Sequence, residues 1–347
     1  MIEIGGFTVS DESPSFIIAE LSANHNHDKQ IAIDTIRAAK KAGADAIKLQ
    51  TYTPDTITID CDNKYFQIDQ GTLWDGRTLY DLYKQAYTPW EWHKELFAVA
   101  KEEGLVCFSS PFDKTAVDLL EELHTPAYKI ASFEIQDIPL IEYVASKKKP
   151  VIISTGIATF EDIELAVETC RKAGNEDIII LKCTSAYPAP IELANLRTML
   201  DMKDKFGVQV GLSDHTEGNT VPIVATSLGG KVIEKHFILD RSIGGPDADF
   251  SLDPTGFKSM VDAVRDAEKA LGKVTYELSE KVQKNRKFAR SLFVVKNIKK
   301  GEVFTEENVR SIRPGYGLHP KHLNQVLGKR STMNIDRGTP LGTLHFT

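Results

Sequence analysis

The sequence predicts a (β/α)8 TIM barrel with a small β-rich domain at its C-terminal end. Three observations predict it. About eight short apolar runs rich in β-branched residues alternate with amphipathic stretches, the pattern of a parallel sheet covered by helices. Several runs stop abruptly in chemically capable side chains, most plainly at Ser213-Asp-His215 and Glu234-Lys-His236, as buried parallel strands do when they deliver chemistry at their carboxyl ends. Beyond Leu271 the composition turns to short β units split by Gly and Pro.

The elements follow in order. Residues 1–9 read as a hairpin turned at Gly5-Gly6, which plugs or flanks the main sheet. Residues 16–19 form the first barrel strand, ending in Glu20, and a polar loop leads to an amphipathic helix over 29–41 closed by Gly43. The second strand covers 46–50. The excursion 51–87, rich in aromatics, Asp and Thr, has the length of a functional lid rather than a plain connection. Helices over 89–103, 114–123, 138–146, 160–173, about 193–206, 221–228 and 255–271 then alternate with strands over 106–109, 127–130, 151–154, 178–182, 208–212 and 231–233. No GxGxxG follows the first strand, which argues against a dinucleotide site. The barrel domain with its hairpin is assigned to 1–274, a charged linker to 275–290 and the small β domain to 291–347, near the lower size limit for independent folding.

A net charge of -7 argues against nucleic acid as a partner, and Lys147 to Lys149 read as a solvated face. No apolar run approaches the length of a membrane span, and no signal peptide is evident, so a soluble cytoplasmic protein is expected. The four cysteines lack CxxC spacing, and Cys107 and Cys183 lie in strand-like runs, as reduced core thiols do.

In a closed barrel the strand ends converge on one rim. They would bring Glu20, Lys48, Gln50, Ser109, Ser110, Lys129, Ser132 and Glu134 together with Ser154, Thr155, Gly156, Lys182, Thr184 and Ser185, and with Ser213, Asp214, His215, Glu234 and His236. Lysines neutralise phosphate and carboxylate charge while hydroxyls and backbone amides supply directional donors, so the rim suits a small phosphorylated anion. His215 and His236, 21 positions apart, would emerge side by side and share a divalent ion, with Glu234, Asp214 or water completing an open shell. The competing reading has each imidazole capping a strand end or bonding a backbone carbonyl.

At this point the motifs carry a family resemblance. Phe16-Ile-Ile-Ala-Glu20 with Asn24-His-Asn26, Ile47-Lys48-Leu-Gln50, Phe108-Ser-Ser110-Pro-Phe, Tyr128-Lys129-Ile-Ala-Ser132, Ile153-Ser154-Thr-Gly, Gly211-Leu-Ser213-Asp-His215-Thr and Ile233-Glu-Lys-His236-Phe resemble the sialic acid synthase family. Ile298-Lys-Lys-Gly-Glu302, Arg313-Pro-Gly and Gly338-Thr-Pro look like its antifreeze-like (SAF) domain. Within the family, the stretches 71–74, 79–83, 88–93 and 287–293 look most similar to the branch that makes pseudaminic acid, with neuraminate or legionaminate synthesis as the alternative and a non-catalytic sugar-binding module as the reading from another class.

The resemblance implies condensation of phosphoenolpyruvate with an N-acetylated amino sugar through C–O cleavage, releasing phosphate. It implies that His215 and His236 hold the metal, Mn2+ or else Mg2+ or Co2+. It assigns Lys48, Ser110, Lys129, Ser132, Ser154 and Ser213 to phosphoenolpyruvate and gives Glu20 and Glu134 the water and the proton. It places Gln50, Ser185, Tyr187, Asp247 and Phe288 at the sugar, with Arg313 reaching in from the small domain of a domain-swapped homodimer. Ser185-Ala186-Tyr187 replaces the Asn-Ile-Tyr usual in sialic acid synthases. Trp74, Tyr83, Trp90 or Trp92 would supply an apolar wall for a 6-deoxy sugar.

Overall fold

The computed structural model describes residues 1–69, 71 and 74–347. Thr72 and Leu73, within the 71–74 motif quoted above, lie outside the described residues. Two compact units are present, Met1–Gly272 and Lys273–Thr347.

The first unit opens with the expected hairpin, β1 (Ile2–Ile4) and β2 (Phe7–Val9), whose Gly5 and Gly6 take φ of +58° and +89°, values that favour glycine. Eight parallel strands then close into a barrel. They are β3 (Phe16–Glu20), β4 (Ala46–Thr51), β5 (Val106–Pro111), β6 (Tyr128–Ile130), β7 (Val151–Ser154), β8 (Ile178–Cys183), β9 (Gln209–Asp214) and β10 (Val232–His236), with β10 paired to both β9 and β3.

Alternation along these strands sorts every side chain. Phe16, Ile18, Ala46, Phe108, Ile152, Ile179, Leu181 and Val232 form the barrel interior, and Ile2, Ile4 and Val9 of the hairpin pack against them as a plug. The intervening residues, among them Ile17, Ile47, Leu49, Ile130, Ile153, Ile180, Leu212 and Ile233, pack under the helices. Continuing the inward register toward the carboxyl ends leads to Glu20, Lys48, Gln50, Ser110, Lys129, Ser154, Cys183, Ser213, Glu234 and His236. The apolar interior therefore becomes polar at one rim.

Helix Lys29–Lys41 shows how local sequence sets the boundaries. Asp28 caps its first turn by accepting from Gln30 and Ile31, and Gly43, at φ +94°, turns the chain into β4. The helix expected over 193–206 is instead a 3-10 turn, Ile191–Leu193, followed by Arg197–Phe206. Asn195 between them has φ +44°, which a continuous helix does not allow. Among its described residues the excursion 51–87 holds two short helices, Pro54–Ile57 and Leu79–Ala86.

In the second unit, helix Glu280–Asn285 occupies the stretch read as a linker. Strands β11 (Ser291–Val294) and β12 (Val309–Ile312) pair antiparallel. Its remaining β structure is reduced to isolated bridges such as Ile298↔Ile335 and Val303↔Arg330, because frequent Gly and Pro interrupt longer ladders. Leu292, Val294, Ile298, Phe304, Val309, Val326, Ile335 and Leu341 form its own core.

Candidate active site

The inward-facing strand ends assemble a charged centre at the barrel rim. Lys48 Nζ lies 2.7 Å from Glu20 Oε2 and 3.4 Å from Glu234 Oε1, and Lys129 Nζ lies 3.6 Å from that same Glu234 oxygen. Lys48 donates to Ser110 Oγ at 3.3 Å, and Ser213 donates to Glu234 Oε1 at 3.1 Å. Gln50 Nε2 bridges Glu20 Oε1 at 3.0 Å and Ser22 Oγ at 2.9 Å. Burial drives the Glu20 carboxyl up to about 7 against the pull of Lys48. Burial also opposes ionisation of Glu234, but Lys129 and Lys48 outweigh it and hold that carboxyl below its usual range. Two buried ammonium groups thus share one firmly ionised carboxylate, leaving positive potential to attract a multiply charged anion.

Glu134 stands in the 3-10 turn Ser132–Glu134 that follows β6, and burial raises it to about 7 despite Lys129. Buried polar atoms are normally hydrogen-bonded. Among the described residues Glu134 Oε2, Ser154 Oγ, Glu234 Oε2 and His236 Nδ1 are buried atoms without such a partner, and all four belong to this rim. They are the groups a ligand would satisfy.

Gly156 carries the backbone close past three side chains of the rim. Its N–H donates to Ser132 Oγ at 3.1 Å, and a Cβ there would sit 2.0 Å from Ser185 Oγ, 2.7 Å from Ser132 Oγ and 3.1 Å from Cys183 Sγ. The Gly156→Ala variant is expected to fold, because side-chain ends can rotate away, but to displace the two hydroxyls. Steady-state kinetics should show the KM of the anionic substrate raised about tenfold or more, the cost of roughly one or two lost hydrogen bonds to a charged group.

The two imidazoles stand beside this centre with ring centroids 5.3 Å apart. His215 Nδ1 donates to the Thr184 carbonyl at 3.0 Å, which leaves Nε2 with the lone pair when the ring is neutral. His236 is kept neutral, its pKa held well below the usual value by burial and by neighbouring His215 and lysine charge. A neutral ring with an unpartnered nitrogen beside a second oriented ring fits a divalent ion. Neither suggested carboxylate joins them, since Asp214 bonds Lys235 and Thr216 while Glu234 faces the lysines. Among the described residues no cluster of three or more His, Cys, Asp and Glu suited to a metal occurs, so two protein ligands would leave the remaining positions to water or substrate.

Aromatic rings wall the site on the histidine side. Phe250 packs on His236 (4.9 Å), His215 (6.1 Å) and Tyr187 (4.9 Å), and Tyr187 lies 4.6 Å from His215 and 5.7 Å from Trp74. Asp247 binds Ser22 and sits 3.9 Å from His236 Nδ1. Of the other aromatics considered for this wall, Trp90 donates to the Tyr52 carbonyl, Tyr83 packs on Tyr52 and Trp92 packs on His25. Phe288 and Arg313 belong to the second unit.

Some expectations require correction. Ser109 and Lys182 occupy outward positions, Ser109 bonding Thr51 and Lys182 reaching back to the Cys183 carbonyl. Asp214 also faces outward. Cys183 is the buried free thiol expected, but it points inward, 3.9 Å from His215 Nδ1, and the imidazole draws it down to about 7 although burial alone would raise it. Its period-two spacing from Ile179 and Leu181 carried that signal. Phe250 and Ser22 were missed, Phe250 because it lies in the 3-10 turn Ala248–Phe250, which no strand periodicity marks.

Residues 35–276 match the NeuB family and residues 289–347 match the SAF domain. A pseudaminic acid synthase of Campylobacter jejuni is 53% identical over 345 residues, covering 99% of this chain and 100% of that protein. A pseudaminic acid synthase of Helicobacter pylori is 51% identical over 329 residues, covering 94% and 96%. The crystal structure of an N-acetylneuraminic acid synthetase from Leptospira borgpetersenii superposes with a TM-score of 0.72 at 30% identity, covering 82% of this chain and 94% of that one. The likeness spans both units, and the chain belongs to the NeuB family.

Proposed function

We propose that the protein is a transferase that condenses phosphoenolpyruvate with 2,4-diacetamido-2,4,6-trideoxy-L-altrose and water, giving pseudaminic acid and phosphate with C–O cleavage. The observation that carries the reading is identity above half, over essentially full length, to pseudaminic acid synthases. The geometry agrees with it. Lys48 and Lys129 neutralise the phosphate and carboxylate of phosphoenolpyruvate, and Ser110, Ser132, Ser154 and Ser213 supply donors around them. C3 of phosphoenolpyruvate attacks the sugar aldehyde, water adds at C2 and phosphate departs with the C2 oxygen.

His215 and His236 would hold a divalent ion, Mn2+ in our reading, whose chemistry is to polarise the aldehyde oxygen. Glu20, pressed against Lys48, is the base that takes the proton of the water. Glu134, which among the described residues has no cation within ion-pair distance, is the acid that protonates the new alkoxide. Gln50, Ser185, Tyr187 and Asp247 border the sugar end, and the Tyr187, Phe250 and Trp74 rings suit the methyl of a 6-deoxy sugar. The reading includes a cytoplasmic homodimer in which Phe288 and Arg313 contribute to the sugar end, a part supported by the sequence motifs alone. No helix among the described residues is long and apolar enough to cross a membrane.

The deciding experiment follows phosphate release from phosphoenolpyruvate with Mn2+, comparing the diacetamido-trideoxy-altrose with N-acetylmannosamine. Release with the first sugar alone is expected. Release with N-acetylmannosamine alone would move the protein to the sialic acid branch.

A further inference from the structure

A buried ion pair joins the ends of β9 and β10 on the face turned away from the site. Lys235 and Asp214 are direct partners in the parallel register, and their side chains are 0% and 1% exposed. Lys235 Nζ lies 2.6 Å from Asp214 Oδ2 and also donates to the Thr216 carbonyl. Asp214 Oδ1 in turn accepts from the Thr216 N–H at 3.0 Å and from its hydroxyl at 2.8 Å. Strand alternation gives this outward pair its significance. Lys235 lies between inward-facing Glu234 and His236, and Asp214 lies between inward-facing Ser213 and His215.

A buried ion pair is a poor way to hold two strands together, because desolvation cancels most of the attraction and an apolar pair of similar volume does as well. An apolar pair cannot replace the directional bonds to Thr216. Those bonds act where the sheet stops, since pairing of β9 with β8 ends at Ser213 and with β10 at Asp214. The geometry points to Lys235 and Asp214 as a positioning pair that sets the His215 imidazole against that of His236 from the outer face of the barrel. This rests on the reading of those two rings as metal ligands. Lys235 holds the neighbour of one ring to both flanks of the other, so loss of the pair frees the 214–216 turn while the sheet below keeps its ladder.

The test is the double variant Lys235→Met with Asp214→Leu, which removes both charges together and leaves neither unpaired. The expected result is a Tm within about 5 °C of the wild type, with Mn2+ affinity measured by calorimetry weakened about 10- to 100-fold, as for lost groups that orient ligands. In histidine side-chain 15N spectra of the metal-free protein, the His215 and His236 signals are expected to broaden or double. Wild-type affinity with unchanged imidazole spectra would overturn the proposal. Failure of the double variant to fold would do so too, by making the pair a structural requirement. If the wild-type protein itself takes up no Mn2+, the metal reading falls, and the imidazole spectra still decide the positioning role.

Discussion

Replacing His215 by alanine is expected to lower kcat about a thousandfold or more while the protein remains folded. The ring sits among His236, Tyr187 and Phe250 and bonds one backbone carbonyl, so its loss opens a small space at the rim and leaves the barrel ladder untouched. A single imidazole cannot retain a divalent ion that two share, and the polarisation lost is worth several kcal/mol, each 1.4 kcal/mol being about tenfold in rate. Phosphate release and thermal unfolding, measured together, check it. Turnover within tenfold of wild type, persisting with a chelator present, would show that the imidazoles do not act through a metal.

Glu134→Gln is expected to lower kcat between about a hundredfold and ten-thousandfold, the range for a lost general acid. The pH profile carries the assignment. With its carboxyl raised to about 7 by burial, Glu134 holds its proton below that pH and loses it above, so the wild-type rate should fall on the alkaline side. Glu20, also near 7 but acting ionised, should give the acid limb. The variant should lose the alkaline limb and keep the acid one. Stability should move oppositely. A carboxyl raised from 4.5 favours the folded state below pH 4.5 and disfavours it as pH rises through 7, so glutamine should stabilise the protein at pH 8 by up to about 3 kcal/mol. Urea unfolding at pH 5 and pH 8 measures this. An alkaline limb that survives the substitution would give the acid role to another group.

The rim itself was legible in the amino-acid order. Apolar runs ending in Glu20, Lys48, Lys129, Ser154, Ser213 and His236 announce parallel strands whose chemistry lies at one end, because a strand buried on both faces has no other place for polar side chains. Spacing carried further than it was read, since strict period-two counting from Ile179 places Cys183 inside the barrel and Lys182 outside. What only the tertiary structure decided is which charges meet. Glu234 belongs to two lysines rather than to the imidazoles, Asp214 is turned outward to Lys235, and Phe250 from a 3-10 turn after β10 seats three rings at once. Partners of that kind lie on different strands and loops. Their distances follow from barrel closure and strand register, which are set by the packing of the whole chain and not by any local stretch of sequence.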